Sequence, residues 1–141
     1  MIGGARGFTL IELIAVIVIL SILSVVSASR FSEGSAGVQA SRDDVIAALF
    51  YAQQIAMARD SATNPIRLVT TTTSVNVTEN GTPLLHAGVQ YPLVLGSGVT
   101  LLATVNPLNF DKLGRTTAST FTLSRSGVSA TITVSDSGYA N

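Results

Sequence analysis

The chain changes its hydrophobic period twice. From Phe8 to Ala28 it reads FTLIELIAVIVILSILSVVSA, 21 residues in which Glu12 is the one charge. A helix of this sequence is apolar on every side and rises about 31 Å, enough to cross a bilayer core. Ser21, Ser24 and Ser27 can hydrogen-bond to their own helix backbone. Arg30 to Gly37 (RFSEGSAG) breaks the pattern. Gly34 and Gly37 each cost a helix about 1 kcal/mol relative to Ala, so the stretch reads as weak or melted. Ser41-Arg42-Asp43-Asp44 reads as a new start, with Ser41 as N-cap and the acids in a first turn where the helix dipole favours them. Val45, Leu49, Ala52 and Ala56 then share one face, and Ile46, Phe50 and Met57 an adjacent one. The expectation is an amphipathic helix from Ser41 to Asp60, which Asn64-Pro65 keeps from continuing.

After Pro65 the period falls to two. Ile66–Thr71 and Ser74–Glu79 are rich in β-branched residues, and Asn80-Gly81 is a type I′ hairpin signal. Further strands are expected at Val89–Leu95, Val99–Val105, Thr120–Arg125 and Val128–Val134, the last two joined at Ser126-Gly127. Isolated hairpins are unstable, so some strands must pack on the second half of the helix. The expected fold is α+β: a long N-terminal helix, transmembrane in its first half, packed against a small antiparallel β-sheet or two-sheet globular head. The chain divides into a short leader at 1–7, an apolar helix at 8–29, a linker and amphipathic helix at 30–64, and a β-rich head at 65–141.

Composition narrows the function classes. Charged residues are only 11% of the chain, and the part beyond residue 30 is rich in Thr, Ser, Val and Gly, which suits a β-rich body outside the cytoplasm. Eight basic and eight acidic side chains cancel, leaving no global field to draw nucleic acid or anionic lipid. There are no cysteines, which excludes disulfides, a Cys-based zinc site and a thiol nucleophile.

Glu12 decides between readings of the apolar segment. A permanent anchor fits the length, yet a carboxylate inside a spanning helix costs on the order of 3 kcal/mol near the centre and marks a functional position. A secretory signal peptide cut after Val26-Ser27-Ala28 would release a chain from Ser29, but the run is longer than a usual h-region and the n-region has only Arg6. The string Gly7-Phe8-Thr9-Leu10-Ile11-Glu12 resembles the cleavage signature of type IV prepilins, G|FTLIE, followed by a long apolar stretch. The resemblance implies that a prepilin peptidase cuts between Gly7 and Phe8 on the cytoplasmic side and methylates the new amine of Phe8. Glu12 is then four residues from that amine, one helical turn away. The family implies that Glu12 pairs with the amine of a neighbouring subunit and sets register during assembly; in low dielectric, losing one partner of such a pair is costly.

The order of one helix and then short strands resembles the H-type minor pseudopilin group, whose head is two small antiparallel sheets. Phe110-Asp111-Lys112-Leu113-Gly114-Arg115 resembles that group's F-x-x-x-G-R segment, and Ile132-Thr133-Val134…Gly138-Tyr139 its last strand and glycine turn. Ala28-Ser29-Arg30-Phe31 and Ala47-Ala48-Leu49…Ala52-Gln53-Gln54-Ile55-Ala56 look closest to minor pilins of mannose-sensitive haemagglutinin (MSHA) pili, although many of those carry a C-terminal cysteine pair that this chain lacks. The family implies a single-pass bacterial inner-membrane protein, N-terminus cytoplasmic, later drawn into a periplasmic or cell-surface filament. Its partners would be other pilin subunits, prepilin peptidase, the inner-membrane assembly platform and, before assembly, membrane lipid. A type II secretion pseudopilin and a DNA-uptake or adhesin subunit share the same grammar.

Nothing in the remaining residues points to enzyme chemistry or implies a cofactor. His86 is the sole histidine, with Ser and Asp only at generic spacing. Asp43-Asp44 has a structural purpose in a first helical turn, and no metal site is assigned. Asn76-Val77-Thr78 and Asn80-Gly81-Thr82 match a glycosylation sequon, but a hairpin turn accounts for Asn80. Gly96-Ser97-Gly98 reads as a turn, since the rest of a phosphate-binding motif is missing. Lys112, Arg115 and Arg125 are the only bases after Arg67, and the tail 135–141 carries Asp136 and none, which argues against DNA capture.

Overall fold

In a computed structural model, residues 9–28, 33–59, 63–86 and 88–141 are described, with side chains for all but 24–28, 33, 86 and 89. The chain separates into two compact units, Met1–Ser32 and Glu33–Asn141. The first holds helix α1, Leu10–Ala28.

The second is built on helix α2, Glu33–Ala58. Val38, Val45, Leu49, Ala52 and Ala56 are buried along one stripe, with Ile46 half-buried against the same core. Phe50 and Met57, on the adjacent face, stay about half exposed at 46% and 49%. The strands are β1 (Ile66–Thr70), β2 (Ser74–Glu79), β3 (Thr82–Pro83), β4 (Leu85–His86), β5 (Val89–Gln90), β6 (Leu93–Val94), β7 (Thr100–Ala103), β8 (Leu108–Phe110), β9 (Ser119–Arg125) and β10 (Val128–Val134). One sheet runs β3-β2-β1-β8 with β6 also on β2, a second runs β10-β9-β7, and β4 pairs with β5; every pairing is antiparallel. Both larger sheets turn an apolar face inward. Ile66, Leu68, Val75, Val77 and Leu108 from one, and Leu101, Phe121, Leu123, Ile132 and Val134 from the other, close with α2 into a single core. The fold is α+β, a helix packed on antiparallel sheets.

Two expectations about α2 are corrected. The helix is formed through Gly34 and Gly37, not melted there. The β9–β10 turn lies against this part of the helix: a Cβ on Gly37 would press on the Arg125 guanidinium at 2.7 Å, whereas one on Gly34 would meet the Arg125 carbonyl oxygen at an ordinary 3.6 Å. Tertiary packing offsets the propensity penalty. Ser41 is not an N-cap, because it lies inside α2, where its buried hydroxyl accepts the Gly96 N–H at 3.1 Å. Asp43 and Asp44 are therefore past the first turn, outside the reach of the N-terminal dipole. The expected helix end at Asp60 lies outside the described residues.

The two tight hairpins form as expected. Asn80 and Gly81 take φ of 51° and 83°, Ser126 and Gly127 φ of 50° and 80°, both residues left-handed as a type I′ turn requires. The single strand expected over Val89–Leu95 is two short ones, because Pro92 carries no N–H for the ladder.

Candidate functional site

The expected site residues divide at the edge of the described chain. Gly7 and Phe8, the positions of the expected cut and methylation, lie outside the described residues. Thr9 and Glu12 are described and form one structure. The Glu12 carboxylate accepts the Thr9 N–H at 2.8 Å and the Thr9 O–H at 2.9 Å, while the Thr9 hydroxyl accepts the Glu12 N–H at 3.3 Å. This reciprocal pattern is a capping box, in which T-x-x-E satisfies donors that a helix start leaves unpaired. Thr9 is a local partner of Glu12 that stands beside the expected amine, and the spacing Thr9…Glu12 carries its signal in the sequence. Further along, the Ser21 hydroxyl donates to the Ile17 carbonyl at 2.7 Å, so that its polarity is met within the helix.

Every described side chain from Leu10 to Leu23 is exposed, with Leu10 at 77% and Ile11 at 72%. Among the described residues no helix is long and apolar enough to cross a membrane. The side chains described on α1 end at Leu23, a run of about 21 Å against a hydrocarbon core of about 30 Å.

A second constellation lies at the far end of α2, where two loops cross. In the F-x-x-x-G-R segment Phe110 is buried and Asp111 organises the turn after β8. Its carboxylate accepts the N–H of Arg115 at 2.8 Å and of Leu113 at 2.9 Å, and the Arg115 Nε–H at 2.9 Å. The Arg115 backbone donor is the largest cause holding the Asp111 carboxyl below the usual Asp value. The Gln53 amide on α2 donates to the Gly114 carbonyl at 3.0 Å and the Ser137 carbonyl at 3.2 Å, tying this loop and the C-terminal turn to the helix. Gly138, at φ 82°, crosses against Gly114, where a Cβ would collide with the Gly114 carbonyl oxygen. The tail then returns to the sheet, Asn141 and Thr133 exchanging backbone hydrogen bonds of 3.0 and 3.1 Å. The motif and the glycine turn are visible in the sequence, but Gln53 is not, because its partners are 61 and 84 residues away.

The remaining candidates do not come together. Among the described residues no group of His, Cys, Asp and Glu is placed to hold a metal ion. Burial is the main cause pushing the Asp44 carboxyl up, with Asp43 adding to it. Asn80 stands at the hairpin turn, and Gly96-Ser97-Gly98 is a turn whose Gly98 has φ 75°.

Three comparisons bear on this arrangement. The prokaryotic N-terminal methylation motif matches residues 3–28, the span that holds Gly7, Phe8 and Glu12. The fold is similar to the crystal structure of the type IV minor pilin FimU of Pseudomonas aeruginosa, with a TM-score of 0.53 and 19% identity over 73% of this chain and 90% of that one. No curated protein sequence matches. Motif and fold together support the type IV pilin family. The chain thus joins an N-terminal methylation motif at residues 3–28 to an α+β fold similar to that of a minor pilin.

Proposed function

We propose that the chain is a type IV pilus-like filament subunit of the minor pilin or pseudopilin kind, without enzyme activity of its own. Prepilin peptidase cuts between Gly7 and Phe8 and methylates the Phe8 amine. The apolar helix holds the subunit in the inner membrane, N-terminus cytoplasmic, until the assembly platform draws it into a filament with other pilin subunits. The observation that carries this reading is α1, whose described side chains from Leu10 to Leu23 are almost all apolar and are exposed on every face, with one acid in the first turn. In water such a surface forfeits roughly 25 cal/mol for every Å² left uncovered, so it belongs in lipid or against neighbouring helices, and the reading gives it both in turn.

Glu12 has two partners in this scheme. In the single chain Thr9 satisfies the carboxylate. In the filament the Phe8 amine of a neighbour takes it over, and the ion pair sets the axial register. Within the family, the F-x-x-x-G-R segment and glycine turn favour the H-type group, and the α2 sequence favours an MSHA-type pilus. The test is recovery of the chain in sheared filaments from cells carrying wild type or Glu12→Ala. Wild type should enter the filament fraction and Glu12→Ala should remain in the membrane. Equal recovery of both would remove Glu12 from assembly, and absence of wild type from filaments would overturn the function. A secretion defect without surface filaments would assign the pseudopilus form.

A further inference from the structure

Strand β10 is the outer strand of its sheet, and only part of its free edge is covered. Its pairing with β9 is one-to-one from Val128 to Val134, so no bulge turns the edge aside, and its seven residues include no charge and no proline. Proteins ordinarily blunt a free edge with one of those devices. Other edges of the two larger sheets are shortened or used. Strand β3 has two residues and carries Pro83, the Leu101 N–H of β7 donates to the Thr72 carbonyl, and the Asn109 carbonyl of β8 accepts the Thr116 hydroxyl.

The covered part of β10 shows how the rest is filled. Ala140 and Asn141 return along it antiparallel, Ala140 opposite Val134, while Asn141 and Thr133 exchange N–H to carbonyl bonds of 3.0 and 3.1 Å. Thr133 therefore turns its backbone groups away from β9, and by the alternation of an antiparallel ladder so do Thr131 and Ser129. Neither has a backbone partner on that side among the described residues. Burial follows the same boundary. On the core face Val134 and Ile132 are fully buried, and Ala140 is buried with them. Ala130 and Val128, past the reach of Asn141, are only half-buried against the core. On the solvent face Ser129, Thr131 and Thr133 are all exposed. Unpaired N–H and C=O groups recurring every second residue are matched by extended backbone.

We propose that the outer edge of β10 over Ser129–Ile132 is a strand-addition site for an extended segment of another polypeptide, running antiparallel to β10 in line with Asn141. In such sites backbone bonds supply affinity and alternating side chains supply selection. The register fixes the chemistry of the segment. It is uncharged over the four residues opposite Ser129–Ile132, apolar opposite Ile132 and Ala130 where it completes the core, and small and hydroxyl-bearing opposite Thr131 and Ser129. The site lies wholly within the head and is independent of α1 and of the processing in the proposed function.

A segment of this chain already has that pattern. In β9, Phe121 and Leu123 stand opposite Ile132 and Ala130, and Thr122 and Ser124 stand opposite Thr131 and Ser129. A fluorescein-labelled peptide of residues 119–125 (STFTLSR) is therefore titrated into the full-length chain in detergent, and anisotropy and amide protection are read. Binding should saturate. Protection of the Ser129 and Thr131 amides should rise at least tenfold, while that of Ala130 and Ile132, which face β9, stays unchanged. The same peptide N-methylated at the Thr122 and Ser124 nitrogens lacks the donors to the Thr131 and Ser129 carbonyls, and it should bind at least tenfold more weakly. Thr131→Pro, which removes an outward N–H and no bond to β9, should weaken the parent peptide to the same degree. Failure of the parent peptide to saturate, equal binding of the N-methylated one, or protection arising on another strand would each overturn the site. None of these outcomes bears on whether the chain enters filaments.

Discussion

At the scale of single residues, two glycines with nearly the same backbone angle should respond very differently to a methyl group. Gly81 has φ 83° and open space around its Cβ position, so Gly81→Ala costs only the left-handed strain, about 1–2 kcal/mol. Gly138 has φ 82° and faces the Gly114 carbonyl oxygen and the Gln53 amide. Gly138→Ala should cost more, above about 3 kcal/mol, because backbone and clamp must both move. Urea denaturation of the two variants in detergent checks the ordering, and equal losses would remove the crossing as a fixed point. Asp111 adds a pH dependence to the same end of the head. Its pKa is lower folded than unfolded, so its contribution is complete above the unfolded Asp value and is lost as pH falls through the folded one. The protection factors of the Leu113 and Arg115 amides, which remove the intrinsic pH dependence of exchange, should fall below the ordinary carboxylate range, and Asp111→Asn should show low protection at neutral pH. Protection factors independent of pH in wild type would contradict the loop's dependence on that carboxylate.

At the scale of elements, what was legible in the sequence was what is decided locally. The Asn80-Gly81 and Ser126-Gly127 turns could be read because a type I′ turn requires two left-handed residues in a row, and few pairs supply them. The apolar run of α1 and the buried stripe Val45–Leu49–Ala52–Ala56 were legible from periodicity. The start of α2 was not. Gly34, Gly37 and Ser41 each carry a local signal against helix interior, and each is overridden by a partner far along the chain: the β9–β10 turn for the glycines, Gly96 for the serine. Strand β8 went unread because its partner β1 lies about forty residues earlier, and Asn106 beside it ties Thr70 through its side-chain amide at 3.0 and 2.7 Å. The glycine reading is testable. A Cβ at Gly34 meets only ordinary van der Waals contacts, so Gly34→Ala should gain up to about 1 kcal/mol of helix propensity. A higher thermal midpoint supports a pre-formed helix, and a lower one would mean that the hairpin tip needs closer approach than the structure shows.

At the scale of the whole molecule, the head is one core shared by α2 and both larger sheets, while α1 belongs to a separate unit. Phe121, fully buried on the central strand of the β10-β9-β7 sheet, is where that core is most exposed to truncation. Phe121→Ala should cost about 3–5 kcal/mol and lower the unfolding midpoint of both sheets together, read by near-UV circular dichroism at Tyr51 and Tyr91. Those rings stack at 5.9 Å, with Tyr51 on α2 and Tyr91 just after β5. Persistence of their signal after the small sheet has unfolded would contradict a shared core.

In the proposed function the division of labour between the units rests on processing at the chain start. The terminal signature was readable because the motif is a contiguous stretch within residues 3–28, whereas the Gln53 crossing depends on contacts no local pattern encodes. Mass spectrometry of the N-terminus of the chain recovered from filaments is the direct measurement. A first residue of N-methylated Phe8, with Met1–Gly7 gone, is the expected result; a chain beginning at Ser29, or one retaining Met1, would contradict it.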